Sequence, residues 1–184
     1  MQHSQTVVVS AIHILNASGI SDEHLLEVSR AVSRIFGLRT DVSSANLALD
    51  RAFDPSRQQY NSTALLAQLV RSFSASQDKY VAIVAVDLHI PILTFVFGEA
   101  QLAGIAAVVS THRLVNQFYG LPRDDLVMLE RLGKEVVHEL GHTFGLYHCH
   151  HFECVMRSST YVEEIDLKRN WLCPDCQTRL DEQR

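Results

Sequence analysis

His138, His142 and His148 stand four and six residues apart in the stretch Val137-His138-Glu139-Leu140-Gly141-His142-Thr143-Phe144-Gly145-Leu146-Tyr147-His148. No other feature of the chain limits its fold as tightly. On a helix, the first two imidazoles fall one turn apart on one face. Apolar residues at 129, 132, 136, 140 and 144 recur at three and four and support that helix. Gly145 can adopt a left-handed conformation and turn the chain, which would bring His148 round as a third ligand. Three protein ligands leave a fourth position open, as in a catalytic zinc site. Glu139 points to the neighbouring side, where it can take a proton from an attacking water. Zinc lowers the pKa of its water to about 7 and polarises a carbonyl, so the implied chemistry is peptide hydrolysis. The plainer alternative is a His-rich helix end with solvated side chains. The helix context and the terminal glycine weigh against it.

The cysteines form a second group. All four lie beyond residue 148, in the pattern Cys149-x4-Cys154-x18-Cys173-x2-Cys176. Cys173-Pro174-Asp175-Cys176 is a knuckle-type pair that suits tetrahedral zinc. The last forty or so residues are polar and too short for a core of their own, so a structural zinc would staple them down. Two disulfides or four free thiols are the alternatives. The N-terminus has no basic segment or small-residue cleavage site, which points to a cytoplasmic, reducing setting and favours the metal. His150 and His151 read as solvated loop residues, though either could replace one cysteine.

Length fits one domain. A net charge of −5 without a run of Lys or Arg argues against a nucleic-acid partner. No apolar stretch reaches the roughly 18 residues of a membrane span, and oligomeric state is not legible. Residues 6–15 read as a buried strand and 38–42 as a second. Ser21 opens a helix that Gly37 ends, and Asn61-Ser62-Thr63 caps another. Residues 80–86 are apolar throughout and should be a central strand. Residues 93–97 and 104–110 read as further strands, with 98–103 as the turn between them. A third helix starts near Asp124-Asp125, and Gly133 interrupts it. The order βαβαβββ implies a mixed α/β sheet.

The joined pattern, HExxHxxGxxH followed by Cys149, Cys154, Met156, Cys173 and Cys176, closely resembles the archaemetzincins of the metzincin clan of zinc peptidases. The matching motif spans residues 138–176, and residues 87–110 are similar to the family's edge-strand region. The resemblance implies two zincs per chain, one catalytic on the three histidines and one structural on the four cysteines. It implies that Met156 is the Met-turn methionine lying beneath the catalytic metal without binding it. It implies a metzincin-like fold: a twisted mixed sheet of about five strands, two long helices with the motif on the second, and a small C-terminal subdomain. Residues 1–145 and 146–184 would be the two parts of that single domain. In that fold an extended substrate pairs with the edge strand. Tyr161 is the nearest candidate for a transition-state tyrosine, with a surface or packing role as the other reading. His112 and Glu99 are placed near the cleft.

The function expected is peptide hydrolysis with Glu139 as general base and a peptide or protein as partner. The alternative is a zinc-containing peptide-binding or regulatory protein with slow or no turnover.

Overall fold

The computed structural model describes residues 9–183. In chain order the elements are β1 (Ala11–Ala17), α1 (Asp22–Phe36), β2 (Arg39–Ser44), β3 (Phe53–Asp54), β4 (Gln59–Asn61), α2 (Ser62–Ser72), β5 (Lys79–Val84), β6 (Leu88–His89), β7 (Gly98–Ala100), β8 (Ala106–Ser110), α3 (Asp125–Thr143), α4 (Val162–Leu167) and α5 (Pro174–Glu182). Side-chain caps start the three longer helices. The Ser21 hydroxyl accepts from the His24 N–H, Asn61 Oδ1 from Ala64, and Asp124 Oδ1 from Val127. Each satisfies an N–H that the first helical turn leaves without a partner.

Five strands form the main sheet in the order β2-β1-β5-β8-β7. The first four are parallel, and β7 runs antiparallel to β8 at the edge. Strand β5 is central and buried along its whole length, as expected of a parallel strand covered on both faces. Its residues alternate between two cores. Val81 and Ile83 join Ile12, Ile14, Ala107 and Val109 beneath α1 and α3. Ala82 and Val84 join Leu15 and Val108 beneath α2. The two long helices, α1 and α3, therefore share one face, and the shorter α2 covers the other. A second, small sheet, β3-β4-β6, flanks the N-terminal end of α2.

Four expectations change. The first strand runs over Ala11–Ala17, so its expected start at 6–8 lies outside the described residues. Residues 93–97 do not form a strand. The guanidinium of Arg57 donates to the carbonyls of Leu93 and Thr94, and Gln59 Nε2 also donates to Thr94. Those carbonyls are thus bonded by side chains instead of by a strand partner; the one bridge in the segment joins Val96 to Leu88. The edge strand is instead Gly98–Ala100, within the expected turn. Finally, α3 runs unbroken through Gly133. A Cβ there would meet only the end of the Asn170 side chain, at 3.2 Å.

The C-terminal segment packs into the main core. Val162, Ile165, Leu172 and Leu180 are buried in the same cluster as α1 and α3. The Arg131 guanidinium holds Asp166 through two 2.7 Å hydrogen bonds, tying α4 to α3. Among the described residues, no helix is long and apolar enough to cross a membrane.

Candidate metal centre

Helix α3 carries His138 and His142 with their Nε2 atoms 3.2 Å apart. Each ring is held from behind. His138 Nδ1 donates to the Val155 carbonyl at 2.8 Å and His142 Nδ1 to the Leu146 carbonyl at 2.7 Å. With Nδ1 carrying the proton, both Nε2 lone pairs face forward. After Thr143 the chain reverses: Gly145 has φ +84, and the Leu146 N–H returns to the Gly141 carbonyl. That reversal carries His148 to ring-centroid distances of 5.3 Å from His138 and 5.0 Å from His142. One nitrogen from each histidine lies within 4.8 Å of the others.

Tetrahedral zinc with bonds of about 2.0–2.1 Å needs ligand nitrogens about 3.3 Å apart, so the His138–His142 separation fits. Burial lowers the pKa of all three imidazoles, most strongly His138, and the Lys168 charge adds to the effect at each. The rings are thereby kept in the neutral, ligating form.

Two glycines make room for this arrangement. A Cβ on Gly141 would overlap the Met156 sulfur, so the fully buried methionine packs directly under the helix turn between the two histidines. A Cβ on Gly98 would come within 2.7 Å of Glu139 Cγ. The edge strand and the carboxylate-bearing helix are in contact there. The buried Lys79 ammonium donates to the carbonyls of Gly104 and Thr143, fastening the C-terminus of α3 to the turn before β8. Lys79, Gly98 and Lys168 are not picked out by the sequence reading. The apolar run that begins at the next residue, Tyr80, is the one local hint at the first.

Glu139 is buried and lines a cleft of about 370 Å³ together with His138, His148, residues 93–98 and Ser158, Ser159 and Thr160. No donor among the described residues hydrogen-bonds its carboxylate. Burial pushes its pKa well up, and the nearby Glu135 charge adds to the rise. The pocket is walled on one side by residues 93–97 and on the other by the turn that follows Met156.

The four cysteines meet at a second point. Their sulfurs lie within 4.8 Å of one another, with Cys149 and Cys173 Sγ 3.6 Å apart. All are free thiols. Tetrahedral zinc with bonds of about 2.3 Å demands sulfurs about 3.8 Å apart, so this donor set fits a structural zinc. Burial pushes the Cys154 thiol up to about 11. That cost to the thiolate would be relieved by a bound cation. His150 is exposed and outside the cluster. His151 packs edge-on against Trp171, with its backbone N–H 3.3 Å from Cys149 Sγ. Tyr161 is exposed at the start of α4. His112 packs against Phe118, and the Glu99 carboxylate is taken by the hydroxyls of Ser62 and Thr63. Neither His112 nor Glu99 lines the cleft.

The sequence matches the model of peptidase family M54 over residues 22–182. It is 34% identical over 176 residues to an archaemetzincin of Methanocaldococcus jannaschii, covering 96% of each chain. It is 43% identical over 130 residues to one of Thermococcus kodakarensis, covering 70% of each. Among solved structures, archaemetzincin from Methanopyrus kandleri superposes with a TM-score of 0.83 at 32% identity, over 99% of this chain and 98% of the other. A zinc-dependent peptidase from Methanocorpusculum labreanum also gives 0.83, at 30% identity over 92% and 99%.

Proposed function

The chain belongs to peptidase family M54, the archaemetzincins, and is a zinc metallopeptidase; on that premise we propose that His138, His142 and His148 hold the catalytic zinc and Glu139 is the general base. The observation that carries the assignment of the base is the Glu139 carboxylate. It is buried, has no hydrogen-bond partner among the described residues, and opens on the same cleft as His138 and His148. Burying an unpaired carboxylate is costly, and nothing else in the fold uses this one.

When bound, the metal supplies a Lewis acid that polarises the scissile carbonyl and acidifies water. The chain's own groups do the rest. The carbonyls of Val155 and Leu146 keep both α3 histidines in the ligating tautomer. A Glu139 oxygen takes a proton from the attacking water and delivers it to the leaving amine nitrogen. An extended peptide lies along the cleft wall formed by β7 and the segment before it. The four cysteines hold a second, structural zinc, whose neighbours in sequence include His148 and Val155. A zinc held by four cysteines needs them reduced, which suits a reducing compartment, and on that ground we place the protein in the cytoplasm. Membership of a peptidase family does not favour the alternative of a peptide binder without turnover.

Metal analysis joined to a peptidase assay tests the assignment. Wild type should carry two zincs per chain, and His142→Ala and Cys176→Ser one each. His142→Ala should lose hydrolysis. A His142→Ala variant that keeps two ions and full activity would overturn the ligand set.

A further inference from the structure

One buried ion pair is not among the groups assigned above to the hydrolysis. Glu135 lies one helical turn before Glu139 on α3, and Lys168 follows α4. Both are nearly inaccessible, with Lys168 Nζ 3.4 Å from Glu135 Oε1. Lys168 Nζ also stands 3.4 Å from the Val155 carbonyl that holds His138. Buried pairs of this kind add little stability over apolar side chains of the same volume, so stability alone does not account for this one.

Glu135 also lines the cleft. Its other oxygen, Oε2, has no hydrogen-bond partner among the described residues and is left to accept from whatever enters. Ser159 lines the same cleft, and its hydroxyl is buried without a partner. A hydroxyl in that state has its donor uncommitted. Phe95 and Phe97 supply apolar wall. The floor thus offers one acceptor and one hydroxyl that can donate. Lys168 balances the Glu135 charge at this end.

We propose that this end of the cleft is a specificity subsite for a carboxamide side chain, glutamine or asparagine, next to the scissile bond. The amide NH2 donates to Glu135 Oε2, the amide oxygen accepts from Ser159 Oγ, and the aromatic wall packs the methylenes. A lysine or arginine would meet the Lys168 charge behind Glu135 and leave the serine donor unused. A leucine would leave both polar groups dry and unpaired, the situation in which sites built for hydrogen bonding discriminate most strongly. This inference rests on the reading of the cleft as a peptidase site.

The test is a panel of otherwise identical peptides carrying Gln, Asn, Leu, Lys or Glu at each residue flanking the scissile bond. Cleavage is read with zinc-loaded wild type, and binding by fluorescence anisotropy with zinc-loaded Glu139→Gln. A second protein, Glu135→Leu with Lys168→Met, removes both buried charges together and so avoids stranding one. At one flanking position wild type should favour the carboxamide over leucine about ten- to a hundredfold, and the double variant should reverse that order. Cleavage with leucine, lysine or glutamate preferred, or a double variant with unchanged ranking, overturns the subsite and leaves the peptidase reading intact. Carboxamide-selective binding without any cleavage supports the subsite while the peptidase reading fails. Neither cleavage nor selective binding overturns both.

Discussion

Replacing Gly98 with alanine adds one methyl group where β7 meets α3. The new Cβ would lie 2.8 Å from the Val108 carbonyl oxygen and 2.7 Å from Glu139 Cγ. Carbon atoms rest at about 3.5 Å or more, so Glu139 must retreat by about 0.8 Å or the edge strand must lift away from β8. Val108 is backbone in a paired strand and cannot turn aside as a side chain can. Overpacking of this kind costs about 1–3 kcal/mol. For a chain of this size that lowers Tm by about 2–12 °C. Displacing the base by most of an ångström should lower kcat by about ten- to a hundredfold. Circular dichroism melts and peptide hydrolysis at equal zinc content measure the two effects. Gly133→Ala is the control. Its Cβ would meet only the end of the Asn170 side chain, at 3.2 Å, and alanine is favoured over glycine within helices by about 1 kcal/mol. Gly133→Ala should therefore match wild type in rate and equal or exceed it in Tm. A Gly98→Ala protein with wild-type Tm and kcat would refute the packing argument.

Other perturbations have equally definite outcomes. In zinc-free protein the folded state raises the Glu139 pKa above its ordinary 4.5, so its contribution to stability is complete below that pH and is lost as pH rises through the folded value. The Tm advantage of Glu139→Gln over wild type should therefore grow from pH 4.5 to pH 8; a constant difference would contradict the burial of that carboxylate. The three histidines act with the opposite sign, their contribution present above about 6.5 and lost towards acid. They are common to both proteins and cancel in the comparison. Cys173→Ser should lower Tm and release one zinc before it changes the rate constant of the protein that remains folded, and an unchanged Tm would contradict the staple. Lys79→Met should destabilise by about 2–4 kcal/mol through loss of two charge-assisted hydrogen bonds, read as a lower urea midpoint. A midpoint equal to that of wild type would show that the ammonium does not secure the end of α3.

The three-histidine and four-cysteine clusters were legible because their geometry is largely local. An i, i+4 histidine pair needs only a helix, and a Cys-x2-Cys knuckle needs only a turn. The convergence of His148 followed from one left-handed glycine. The segment at 93–97 misled because an apolar run implies a strand only if its backbone finds a strand partner. Here side chains from residues 57 and 59 take the carbonyls. The roles of Gly98 and Gly141 were hidden for a related reason: each is set by a side chain, Glu139 or Met156, that only tertiary packing brings near. Nothing in the sequence around Lys79, Arg131 and Lys168 marks them as buried. Their burial depends on carbonyls and carboxylates distant in sequence.

The assignment of Glu139 rests finally on the rates of two proteins with the same metal content. Zinc-loaded wild type and Glu139→Gln are incubated with a diverse peptide library, zinc per chain is measured in each, and the products are read by mass spectrometry. Wild type should cleave at defined bonds, and the variant, with both zincs still bound, should be at least about a hundredfold slower. A fully zinc-loaded Glu139→Gln protein that cleaves the same bonds at the wild-type rate would remove Glu139 as the base.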